Sequence, residues 1–136
     1  MAEVLGVVAS VIALVQVTEE ITKLSRDLIH TKRSVKTVLG GLLTQMTGYK
    51  RVFEDILLAA EIDESDEARL SALEHVEGPL QACTDALNLI KAKLEKPSII
   101  PKLAFGQVLP GKVQQALKTL NDLLPIFKFA LQAGQR

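Results

Sequence analysis

Fifteen consecutive residues near the start of this chain, 4–18, carry no charge: Glu3 precedes them and the next ionisable side chain is Glu19. Within the run, Val4, Leu5, Val7, Val8, Val11, Ile12, Leu14 and Val15 cover the whole circumference of a helix. A helix that is apolar all round is stable only when buried or in lipid. Its small residues add a second property. Ala2, Gly6 and Ser10 recur at spacing four, as do Ala9 and Ala13, so one face, with Ala2, Gly6, Ser10 and Ala13 as its small residues, would let another helix approach closely. The host is therefore a helical bundle or a bilayer. Fifteen helical residues rise only about 22 Å, against a hydrocarbon core of about 30 Å, so a single copy falls short of spanning. Glu3 stands where a secretory signal would carry Lys or Arg, and no small-x-small cleavage site follows.

The remaining composition fits a bundle. The 136 residues suffice for one domain with a sizeable core, and 48% of them are hydrophobic. Aromatics are only 4% and Trp is absent, so Leu, Val, Ile and Ala must build that core, which suits helix packing better than a sandwich of strands. Cys83 is the one cysteine, which excludes an internal disulfide, and with two distant histidines it makes no zinc pattern. Net charge is zero, but unevenly spread. From Lys91 onward eight basic residues accompany two acidic ones, Glu95 and Asp122, so the C-terminal third is basic. This asymmetry would suit an anionic surface, although scattered lysines also serve as a solvated helix face.

The first helix is expected to run from about residue 2 to residue 30, turning amphipathic after Val17 with Val17, Ile21, Leu24 and Leu28 on one stripe. A basic turn follows, with Lys32, Arg33 and Lys36, and with Thr31 or Ser34 available as cap. The second helix carries a heptad seam of Val35, Leu39, Leu42, Met46, Tyr49, Phe53, Ile56 and Ala60, which predicts lengthwise packing at a shallow angle. Gly40, Gly41 and Gly48 lie off the seam and are candidates for close contact with the first helix. Residues 61–67 are acidic and read as a loop. A third seam, Leu73, Val76, Leu80, Cys83, Leu87, Ile90 and Leu94, runs through Gly78 and Pro79, which predicts a kink. Residues 98–111 form a crossover that is unusually apolar for a loop, lying over the bundle or holding a helical turn. The last helix, about residues 112–133, has Val113, Leu117, Leu120, Leu124, Phe127 and Leu131 on its seam and Pro125 as a kink point.

The expected architecture is all-α: a single domain over residues 1–136, built as a four- to five-helix, mostly antiparallel bundle with a long hydrophobic first helix and a kinked third. No phosphate-binding Gly-rich loop, metal motif or nucleophile elbow occurs, so an enzyme is not expected and no cofactor is implied. Basic residues do not gather on one helix, and aromatics for base stacking are too few for nucleic acid. A binding, assembly or membrane-acting module remains.

The N-terminal pattern of residues 1–14 followed by Leu-rich heptads, with the later Leu80, Cys83, Leu87, Ile90 stretch, resembles the HeLo-like N-terminal domains of fungal STAND or NOD-like receptor proteins. Those domains are similar to the helical bundle of the mixed-lineage kinase domain-like protein. The resemblance covers nearly the whole chain, though its motifs are apolar patterns and not chemical signatures. It implies an execution domain of regulated cell death, as in fungal heterokaryon incompatibility and innate immunity, held inactive in the cytoplasm. Release at the plasma membrane would follow oligomerisation driven by a C-terminal nucleotide-binding or amyloid-forming region, in cis or in trans. On that reading Val4, Leu5, Val7, Val8, Val11, Ile12, Leu14 and Val15 form the membrane-inserting surface, and Ala2, Gly6, Ser10 and Ala13 the packing face of the self-oligomer. Glu3 would line a pore, and Lys32, Arg33 and Lys36 would meet anionic lipid. Two departures stand out: no Trp anchors the interface, and the proline-rich crossover is no family mark. The rival expectation is an adaptor of the same fold that recruits proteins without touching lipid.

Overall fold

The computed structural model describes residues 2–62, 77–106 and 108–134, and their side chains except at 2–5, 60–62, 106, 130, 131, 133 and 134. Among the described residues the chain forms five α-helices and no strand. These are α1 (Ala2–Thr31), α2 (Lys36–Ile62), α3 (Glu77–Glu95), α4 (Ile99–Gly106) and α5 (Gly111–Gly134), with a 3-10 turn at Arg33–Val35 between the first two. The all-α bundle expected from the seams is the fold observed.

Heptad spacing explains which sides face inward. Val35 at the end of the 3-10 turn and Leu39, Leu42, Met46, Tyr49, Phe53 and Ile56 on α2 are all buried, as the sequence predicts. On α3 the same holds for Leu80, Cys83, Leu87, Ile90 and Leu94, and on α5 for Val113, Leu117, Leu120 and Phe127, while Leu124 of the expected α5 seam is only half-buried. Each large apolar side chain removed from water contributes roughly 1.5 to 3 kcal/mol before conformational entropy is charged against it. Leu73, Val76, Ala60, Leu131 and the acidic segment 63–67 lie outside the described residues or side chains.

The four long helices form a ring in which α1 touches α2 and α3, and α5 touches the same two. A tight turn makes α1 and α2 antiparallel. Tyr49 meets Asn121 and, further along both helices, Phe53 meets Phe127 edge to face at 6.1 Å, so α2 and α5 run parallel. The end of α3 and the start of α5 line one cavity, which makes that pair antiparallel. The mostly antiparallel expectation thus holds between helices that succeed one another, while the lateral pairs α1/α3 and α2/α5 are parallel. Short α4 covers the end of the bundle, against the 3-10 turn and the end of α3. Ile99 and Leu103 pin it to the core.

Two local expectations are corrected. Thr31 does not cap α2: its hydroxyl donates to the Asp27 carbonyl at 2.9 Å, and the break comes from extended backbone at Lys32, which makes no side-chain cap. Ser34 lies within the 3-10 turn. Gly40, Gly41 and Gly48 create no close helix approach, since a Cβ added at any of them would meet nothing within 4 Å. Pro79 is helical near the start of described α3; the kink expected there involves residues before Glu77, outside those described. Pro125 sits on the exposed side of α5, which continues through it.

Candidate functional site

The first helix contains the residues singled out in the sequence, and its burial is one-sided. Val7, Val11 and Leu14 are at most 1% exposed, and the same stripe continues through Thr18, Ile21 and Ser25 at 0%. Val8 and Val15 flank it, half-buried. The opposite side faces solvent: Gly6, Ala9, Ser10, Ala13 and Gln16 are exposed, and Ile12 is 43% exposed. The expectation of burial on every side is therefore corrected for the described side chains. Physically, small side chains make exposure cheap, because Gly, Ala and Ser remove little apolar area from water wherever they sit. Ala2, Glu3, Val4 and Leu5 belong to α1, but their side chains are outside those described.

Gly6, Ser10 and Ala13 do share one face, yet among the described residues no helix packs on it; a Cβ at Gly6 would meet nothing within 4 Å. The stripe that does face the core was only half legible. Beyond residue 17 the sequence favours Val17, Ile21 and Leu24 as core, but the buried positions are Thr18, Ile21 and Ser25. Heptad spacing continued from Val7, Val11 and Leu14 would have found them, and the polar identities hid the register. Thr18 satisfies its hydroxyl by donating to the Val15 carbonyl at 2.7 Å. Among the described residues the Ser25 hydroxyl finds no partner.

Two ion pairs mark where α1 changes character. Lys50 of α2 reaches Glu19 at 3.2 Å, and Lys91 of α3 pairs with Glu20, whose carboxylate raises the lysine's pKa. Both pairs are surface-exposed, so solvent screens them and each adds little stability. Their position matters more: the C-terminal half of α1 is tied to both neighbours, while the described side chains of its uncharged half are held by apolar contacts alone.

Lys32, Arg33 and Lys36 are all exposed at the 3-10 turn, at the end of the bundle away from Ala2. Elsewhere the chemistry is quiet. Cys83 is buried, and burial pushes its thiol up to about 12, so little thiolate forms near neutral pH. His30 is exposed beside the groove between α1 and α2, and His75 lies outside the described residues. Among the described residues no His, Cys, Asp and Glu side chains gather as metal ligands, and no helix is long and apolar enough to cross a membrane.

No protein-family model, no curated protein and no solved structure matches this chain. What it does must be read from its own surfaces.

Proposed function

We propose that this chain is a non-enzymatic cell-death execution domain of the fungal NOD-like receptor type, which oligomerises and permeabilises membrane through α1. One observation carries the reading: over residues 6–18, α1 pairs a buried Val7, Val11, Leu14 stripe with an exposed side of small or uncharged residues. An ordinary surface helix places charge on its solvent side. Here that side, Gly6, Ser10 and Ala13, is shaped for the close approach of another helix. Copies gathered by an attached receptor region would pack on it, and the buried stripe, once withdrawn from the bundle, would face lipid. Withdrawal sacrifices core contacts, so it requires many copies or a large differential affinity for the membrane-bound state.

The test is dye release from anionic liposomes by the protein fused to a multimerising partner. Gly6→Leu with Ala13→Leu adds bulk only to the exposed face, so the variant should keep its helicity and melting temperature while leakage falls by an order of magnitude or more. Absence of leakage from parent protein verified to be oligomeric would overturn the reading and favour the adaptor alternative.

A further inference from the structure

Four lysines surround one cavity at the end of the bundle. The cavity, about 300 Å3, is lined by Lys93 and Lys96 from the end of α3, Lys102 from α4 and Lys112 from the second position of α5, with Ser98, Ile99, Pro110 and Gly111. Among the described residues none of the four lysines belongs to an ion pair; the pairs present use Lys50 and Lys91. They crowd one another. Repulsion and close contact from Lys96, then partial desolvation, then Lys112 and Lys102 hold the Lys93 ammonium below its ordinary range.

Helix electrostatics account for only part of this grouping. Lys93 lies in the last turn of α3, where a cation is favourable. Lys102 and Lys112 lie in the first turns of α4 and α5, where the macrodipole already contributes positive charge and acidic residues are preferred; neither turn has one. The Gln114 backbone N–H donates to the Pro110 carbonyl at 3.0 Å, which makes Pro110 the residue that leads into α5 and turns the helix's free N–H groups toward the same end. Charge placed against local preference, around an open cavity, calls for an anion.

An apolar feature adjoins it. Phe105 of α4 is 89% exposed and Val108 just beyond is 59% exposed. Lys102 and Phe105 stand three residues apart, on the outward side of a helix whose inward side is Ile99 and Leu103. Exposed aromatic and aliphatic side chains beside unpaired lysines form the pattern of a helix lying in the interface of an anionic bilayer.

We infer that the α4 end of the bundle is a docking site for anionic membrane, with the Lys93, Lys96, Lys102 and Lys112 cavity taking the phosphate of a lipid headgroup and Phe105 and Val108 entering the acyl boundary. The inference rests on the membrane-acting reading of the chain but not on permeabilisation. Docking uses α4 and the helix ends around it, whereas leakage uses α1.

The experiment is co-sedimentation of the full chain with vesicles of phosphatidylcholine alone, with added phosphatidylserine, and with added phosphatidylinositol bisphosphate, scored beside dye release. Binding is expected only to the anionic vesicles and most strongly to those with clustered phosphates. Lys102→Gln with Lys112→Gln should weaken it about 100-fold, two charge-assisted contacts being lost, and Phe105→Ser should weaken it about tenfold through lost apolar burial. Lys118→Gln with Lys128→Gln removes the same charge from exposed sites elsewhere on α5 and should leave binding within about twofold. Equal loss in both lysine pairs would overturn the site, as would leakage and binding that survive the α4 changes. Saturable binding of free inositol bisphosphate without vesicle association would also overturn it, assigning the cavity to a soluble ligand. Binding without leakage, repeated with the protein fused to a multimerising partner and verified to be oligomeric, would uphold docking while removing the permeabilising reading.

Discussion

At the level of single side chains, the molecule's polar core residues say most about its energetics. Tyr49, 2% exposed, places its hydroxyl 2.8 Å from the Asn121 side-chain oxygen and 2.9 Å from that of Gln45. It has one proton, so it donates to one of these amides and can accept from the NH2 of the other once that amide is turned. The contact fixes α2 against α5. Ser25 is the contrary case, a buried hydroxyl with no partner among the described residues, and an unsatisfied buried group costs about 1 to 3 kcal/mol. Ser25→Ala should therefore stabilise the fold by about 1 kcal/mol in urea denaturation; destabilisation would mean that the hydroxyl is bonded in solution. Neither role was visible in the sequence. Tyr49 could be assigned to a seam by spacing, but its partner in α5 is 72 residues away, and nothing local distinguishes a core Ser from a surface one.

Among the helices, heptad spacing made α2, α3 and α5 legible because their described buried positions are all apolar, most of them large, with only Cys83, Ala86 and Ala116 small. In α1 the same spacing was masked, since an uncharged run looks apolar in every direction and Thr18 and Ser25 interrupt the true stripe. The glycines of α2 illustrate another limit. A Gly pair in a helix suggests intimate contact, but Gly41 and Gly48 are exposed with open space around them. Gly41→Ala and Gly48→Ala should each stabilise α2 by up to about 1 kcal/mol, since backbone entropy is recovered and no neighbour is displaced. Additive gains in thermal melts would support this, and a loss at either position would place an unseen contact there. The crossover was legible as an apolar segment lying over the bundle or holding a helical turn, but the eight-residue extent of α4 was not, because Pro101 and the flanking prolines suggested loop; in α4, Pro101 occupies the first turn, which tolerates it.

Over the whole molecule, core burial sets a pH dependence. Tyr49 and Cys83 are both pushed up to about 12, from 10.0 and 9.0, by desolvation first and, for Tyr49, by the neighbouring Cys83. Between pH 9 and about 12 the unfolded chain loses protons that the folded chain retains, so stability is fully present below that window and declines through it. Urea midpoints should fall across this range, and Tyr49→Phe should flatten the fall even though it weakens the fold; an unchanged slope would exclude Tyr49 as a contributor. The ring order of the helices, which no periodicity encodes, also fixes where the two surfaces of interest lie. The lysine-lined cavity and the start of α1 occupy opposite ends, and α1 has 30 residues, about 45 Å of helix. A bundle standing on its basic foot would thus hold the tip of α1 aloft like the head of a post. Adhesion and puncture would then be separate events, and the second would begin with a topple.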